Sequence, residues 1–259
     1  MKTQTCKRFH WVIWLVVIAL CAPVVVWAGA DKDGAWEKYR EEDGITGYQR
    51  DVARSKYPET RAETVINEPM EVLLEVLMDI PSYPQWMYKC KETALIKQKD
   101  DYNRVLYFAQ GVPMGSPDRD AVIKATTLMN FNAGTSETTL RSIDNYQYEQ
   151  NKNKKSGDYN PNTYEADRQR MIEFSGKFEL RMIDRNRTWV RYTAYTNPGG
   201  FAPRFVVKGV IQKVSFETLR EWKRMAKMPK YIEAATKGIV LPEIEKAIKS
   251  GGLKFAKSK

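Results

Sequence analysis

Histidine is nearly missing from this chain of 259 residues: the single copy, His10, sits at the very start. Cysteine is almost as scarce, with Cys6 and Cys21 near the N-terminus and Cys90 alone beyond them. These two shortages remove whole reaction classes from residues 31–259. Without histidine there is no Ser-His-Asp or Cys-His nucleophile. Without a Cys/His set there is no zinc site of the usual kind, and one cysteine cannot close an internal disulfide. An all-carboxylate metal site or acid–base pair is still permitted, but no DxD-type cluster suggests one, and no cofactor is expected. Cys90 reads as a small buried apolar residue rather than a reactive thiol.

A concentrated basic stripe is also lacking, although the net charge is +10. Residues 1–30 carry three of these charges and no acid, leaving about +7 dispersed over the rest. Such an excess keeps a protein soluble, or draws it to anionic lipid head groups. It does not suggest nucleic acid.

The N-terminus has the plan of an export signal. Lys2, Lys7 and Arg8 precede an apolar run over 11–27, and Ala28-Gly29-Ala30 offers a small-x-small cleavage site. The expected domains are therefore a signal peptide at 1–30, one globular domain at 31–228, and a helical extension with a basic tail at 229–259. The expected location is periplasmic or extracellular after cleavage near Ala30, with an uncleaved N-terminal membrane anchor as the alternative.

Along the rest, 36–42 reads as a short helix carrying Trp36 and Tyr39. Segments 45–52 and 60–66 read as strands around a turn at Pro58. Asn67 offers a helix cap, with Pro69 in the first turn. Val72, Leu73, Val76, Leu77 and Ile80 then mark one face of a helix over 70–80, ended by Pro81 and Pro84. Strands are expected at 90–98, 104–111, 119–129 and 136–143, the last pair turned by Asn132-Ala133-Gly134. Residues 144–167 break the pattern and read as a long mobile loop. Its Tyr146, Tyr148, Tyr159 and Tyr164 either line an entrance or anchor the loop.

Patterning is clearest over 168–203. Ile172, Phe174, Gly176, Phe178, Leu180 and Met182 alternate with Glu173, Ser175, Lys177, Glu179 and Arg181, the period of a strand with one dry face. A second strand at 188–196 meets Asn197-Pro198-Gly199-Gly200, which breaks it. An amphipathic helix over 201–225 follows. After it, 231–248 reads as an interrupted helix, and 250–259 as a flexible basic end.

This order, with its punctuation, resembles a START lipid-transfer domain, the helix-grip fold shared with the Bet v 1-like superfamily, in an exported bacterial type. The resemblance covers roughly 36–227. It rests on Asp43-Gly44-Ile45 through Tyr48-Gln49-Arg50, Pro81 with Pro84-Gln85-Trp86-Met87, and Cys90-Lys91-Glu92. It continues through Ser116-Pro117-Asp118-Arg119-Asp120-Ala121-Val122, Asn197-Pro198-Gly199-Gly200 with Pro203, and Phe216-Glu217-Thr218-Leu219. It implies an α+β fold in which a curved antiparallel sheet wraps a long C-terminal helix, with a hydrophobic tunnel holding one lipid. Some sterol-carrying members place a buried acid and base in that tunnel. By an ungapped count from Arg119 those positions fall near Leu106 and Ala125, both apolar, so the pair is absent here.

The residues themselves suggest which side chains would line such a container. Lys124 facing water puts Ala121, Ile123 and Ala125 inside, and small residues there leave volume open. Phe174 and Phe178 join them from the alternating strand. Arg191 facing water places Tyr192 inside. Phe201, Phe205, Val206, Val210, Ile211 and Val214 form the helix face. No face is assigned to 104–111. Arg119 and Asp120 make either a structural ion pair or, through Arg119, a contact to a polar or phosphate head group.

The expected function is non-catalytic binding of a lipid or other hydrophobic small molecule and its transfer between membranes. The expected partners are that ligand and, transiently, a membrane surface, with the chain acting as a monomer. An enzyme of the same superfamily, cyclase- or hydrolase-like, is the alternative. A third reading is an envelope interaction module with a filled core.

Overall fold

The computed structural model describes residues 33–53, 55–113, 116–143, 168–200 and 204–255, the side chains of Arg204 and Phe205 excepted. Ten strands build one sheet: β1 Glu37–Glu42, β2 Ile45–Arg50, β3 Glu59–Ile66, β4 Cys90–Asp100, β5 Asn103–Gln110, β6 Arg119–Asn130, β7 Thr135–Ser142, β8 Gln169–Arg170, β9 Glu173–Met182 and β10 Thr188–Asn197. Nine of them run in the order β1-β2-β3-β10-β9-β7-β6-β5-β4, antiparallel throughout, and short β8 pairs in parallel with β6. Helix α1 (Met70–Met78) and a 3-10 turn over Ile80–Gln85 cross between β3 and β4. The long helix α2 (Arg204–Met225) follows β10, and α3 (Pro229–Lys237) and α4 (Val240–Lys249) complete the chain. The fold is the α+β helix grip expected from the resemblance.

Segment 36–42 is a strand, not a helix. Its Glu- and Lys-rich composition suits a helix, but Asp43 and Gly44 have φ of 53° and 72°. Two successive positive φ values make the tight hairpin turn that Asp-Gly favours, and this pairs Glu37–Glu42 with Ile45–Gln49. Asn67 does not cap α1, which starts after Pro69 without a side-chain cap. Ile172 precedes β9 and is exposed, so the dry face begins at Phe174. Through residue 255 the C-terminal end is held down: Leu253 is buried, its N–H donates to Ala247 O, and Phe255 packs on the core. Gly134, at φ 61°, leaves room for Leu253; a Cβ there would stand 2.9 Å from its Cδ1. The tyrosine-bearing segment 144–167 lies outside the described residues.

The inner face of the sheet carries Phe108, Ala121, Ile123, Leu140, Phe174, Phe178, Val190 and Tyr192, all in one core cluster with α1 and α2. A small satellite cluster of Tyr57, Tyr195, Val207 and Ile211 sits beside the first half of α2.

Candidate functional site

The pairing register arranges the inner face in rows. Gln110 lies opposite Arg119 at one end of the strip; then come Phe108 with Ala121, and Leu106 with Ile123. The next row runs Ala125, Leu140, Gly176 and Ala194, small except for Leu140. Beyond it stand Thr127, Thr138, Phe178 and Tyr192. The parity of β5, unassignable from its sequence, is thus set by β6: Leu106, Phe108 and Gln110 face in.

Ala121, Ile123, Ala125, Phe174, Phe178 and Tyr192 do face the interior, as expected, and Val206, Ile211 and Val214 of α2 are buried while Val210 is partly so. Phe201 and the side chain of Phe205 lie outside the described residues. The volume that small residues were expected to leave open is filled. Phe178 stacks on Tyr192 with centroids 4.0 Å apart, Trp222 meets Phe178 edge-on at 5.1 Å, and Trp86 stacks on Trp222 at 6.0 Å. Trp86 and Trp222 reach in from the end of the 3-10 turn and from α2, where no strand-parity argument could place them. Among the described residues, the apolar groove between the sheet and α2 encloses about 30 Å³, far below the roughly 300–1,000 Å³ of ordinary ligand pockets.

That groove is lined by Gln110, Val112, Arg119, Thr196, Pro198, Val207, Val210, Ile211 and Val214. Its walls are mainly apolar, Gln110 and Thr196 apart, and Arg119 is the one charged group on them among the described residues. Arg119 is 1% exposed. Its Nε donates to Pro198 O at 2.9 Å, Nη2 to Gly199 O at 3.5 Å, and Nη1 to Pro117 O. It has no ion pair among the described residues. Burial lowers its pKa from the usual value, partly opposed by Tyr57 and Asp118 nearby. The adjacent acid does not neutralise it: Asp120 points to the other face, where it accepts from Arg170 at 2.7 Å and from the Tyr107 hydroxyl at 3.2 Å. Of the two alternatives, the Arg119–Asp120 ion pair is therefore not formed, because neighbours along a strand face opposite ways. A buried cation with only carbonyl partners is costly, and an anion within reach of its remaining N–H groups offsets that cost.

The two halves of α2 are held differently. Ser215 and Thr60 share a hydroxyl contact at 2.9 Å, Tyr88 N donates to Thr218 Oγ1 at 3.0 Å, and Trp222 Nε1 donates to Leu73 O at 3.3 Å. Tyr39 reaches the Gln212 carbonyl. From Val206 to Ile211, by contrast, no side-chain hydrogen bond ties the helix to the sheet among the described residues; contact there is apolar. Sequence reasoning missed Val207, Gln110, Thr196 and Pro198 as groove residues. Val207 was concealed by helix phase, since Val206 beside it is buried too. Gln110 was concealed by the missing parity of its strand.

Positions Leu106 and Ala125 are apolar and buried, as the count from Arg119 indicated. Cys90 is buried, and burial pushes its thiol up to about 12, in keeping with an inert apolar role. Among the described residues, no helix is long and apolar enough to cross a membrane.

No protein-family model matches the chain. An uncharacterized protein of Pseudomonas aeruginosa is 25% identical over 206 residues, covering 80% of this chain and 94% of that one. The crystal structure of a STAR-related lipid transfer protein from Xanthomonas axonopodis is similar at a TM-score of 0.62 with 21% identity, covering 74% of this chain and 99% of that one. Human StAR-related lipid transfer protein 5 is similar at a TM-score of 0.57 with 14% identity, covering 74% and 86%. The chain has the START helix-grip fold. A shared fold at such identities does not carry function with it.

Proposed function

We propose that this protein binds one hydrophobic lipid with an anionic head group between its sheet and α2, and moves it between membranes without chemistry. The observation that carries this reading is Arg119, a desolvated guanidinium without an acid partner among the described residues, at a mainly apolar groove under the loosely tied half of a helix. The START fold, and the lipid-transfer names of the solved structures it resembles, support the same reading.

The energetic reason for such a carrier is simple. Moving an acyl chain from a bilayer into water costs about 0.8 kcal/mol per methylene. A sixteen-carbon chain then faces roughly 12 kcal/mol, which makes unassisted desorption slow. An apolar interior exchanges one dry environment for another and removes most of that cost. Here the interior must dilate to accept a chain. Residues 206–211 of α2 can lift away by exchanging apolar contacts with the sheet for apolar contacts with the ligand. The half anchored at Ser215, Thr218 and Trp222 stays in place. No general base or nucleophile takes part in this cycle.

The same reading places the protein outside the cytoplasm, with residues 1–30 acting as an export signal, and working as a monomer at membrane surfaces. Transfer of a fluorescent phosphatidylglycerol from donor to acceptor vesicles tests the function. The expected result is a rate that rises linearly with protein concentration. A rate indifferent to the protein would overturn the proposal.

A further inference from the structure

The inner strip ends in a second small cavity, of about 20 Å³, between the end of α1 and the start of β5. Its lining differs in kind from the groove at Arg119. Thr127 and Thr138 meet there through their hydroxyls at 2.8 Å, and the Tyr83 hydroxyl donates to Leu77 O at 2.8 Å. Arg104 lines it as well. Opposite Ala125 in the register, Arg104 projects from the inner face of β5. Its Nη1 donates to Met78 O at 3.3 Å, near the end of α1, where a cation suits the helix dipole. That contact leaves its Nε buried and without a partner among the described residues. Glu75 of α1 lies in the field of Arg104, but burial raises the Glu75 carboxyl, and no ion pair joins the two among the described residues.

Arg104 and Gln110, the partner of Arg119, are six residues apart on β5, about 20 Å of extended strand. Between these ends the inner face is apolar: Leu106, Phe108, Ala121 and Ile123. Two cation-bearing ends separated by an apolar strip are complementary to a ligand that is polar at both ends and apolar between.

Resting on the carrier reading above, we propose that the preferred cargo is a long-chain amphiphile with an anionic head at Arg119 and a second oxygen acceptor at its far end, received by the Arg104 Nε–H. A wholly apolar far end would give the opposite preference, because a ligand hydroxyl buried without a partner loses its hydrogen bonds to water.

The test is competition between hexadecanoic acid and ω-hydroxyhexadecanoic acid for the full chain, read by native mass spectrometry. The wild-type chain should favour the hydroxy acid by roughly tenfold or more, as a hydrogen bond from a charged donor implies. Arg104→Gln should bring the ratio to one or below, and Arg104→Lys should restore part of it. A wild-type ratio of one or less, or a preference that survives Arg104→Gln, would overturn the inference while leaving lipid binding intact. Binding of neither acid would overturn the carrier reading and this inference with it.

Discussion

Replacing Arg119 with leucine should abolish discrimination between a fatty acid and its methyl ester. The guanidinium has five N–H donors, and three of them already meet the carbonyls of Pro117, Pro198 and Gly199. Two remain for an oxyanion in the groove. Each charge-assisted hydrogen bond contributes about 1.5–3 kcal/mol. Even the low end, about 3 kcal/mol for two bonds, corresponds to roughly a hundredfold in affinity. The wild-type chain should therefore bind hexadecanoate about a hundredfold more tightly than methyl hexadecanoate, by titration calorimetry or displacement of a fluorescent fatty acid. Arg119→Leu should reduce that ratio to near one. Arg119→Lys should fall between, since an ammonium keeps the charge but loses the planar fork. Because the comparison is a ratio within each variant, a general loss of stability does not imitate the effect, and a thermal melt checks folding separately. The reasoning fails if the wild-type chain binds acid and ester alike, or if Arg119→Leu retains the preference.

Trp222 should behave as a structural anchor: fully buried between Trp86 and Phe178, its change to alanine should cost about 3–5 kcal/mol, seen as a lower urea midpoint. Val210→Ala, in the loosely tied half of α2, should cost far less, and equal losses would contradict the division of the helix. In a chain with Cys6 and Cys21 changed to serine, Cys90 should resist iodoacetamide until denaturant is added. With its thiol held near 12 by burial, its thiolate is about a thousandfold scarcer than that of a free cysteine near neutral pH, and rapid native labelling would contradict this. Alkali should unfold the protein. Burial raises the phenols of Tyr83 and Tyr192, and raises Tyr39 and Cys90 to about 12, so above about pH 9–10 the unfolded chain loses protons that the folded chain keeps. Stability then falls as pH rises; a urea midpoint constant from pH 8 to pH 11.5 would refute the assignment.

Strand alternation over residues 174–182 and 188–196, and the break at Asn197-Pro198-Gly199-Gly200, carried most of what was legible in the sequence. Period-2 patterning reports burial directly, so Phe174, Phe178 and Tyr192 could be placed inside without any structure. The pattern fell short where burial was two-sided. On β5 Leu106, Tyr107, Phe108, Ala109 and Gln110 are all buried, since one face meets the core and the other meets the cluster around Asp120 and Arg170, and no parity survives in the residues. Segment 36–42 misled through composition, while the decisive signal, Asp43-Gly44, was a turn signal lying just beyond it. The filling of the interior by Trp86 and Trp222 was invisible because it depends on how the 3-10 turn and α2 approach each other, a tertiary fact. Arg119 could be singled out as a candidate from its place at the start of a strand. Its three carbonyl partners could not, because they lie on two loops 2 and about 80 residues away.

Native mass spectrometry of the full chain after incubation with mixed lipid vesicles and re-isolation tests the central claim most directly. One apolar, anionic lipid bound per chain, lost when Arg119 is changed to leucine, is the result this account predicts. A chain that emerges empty from every lipid offered would mean that the aromatic-filled interior does not open, and would contradict it.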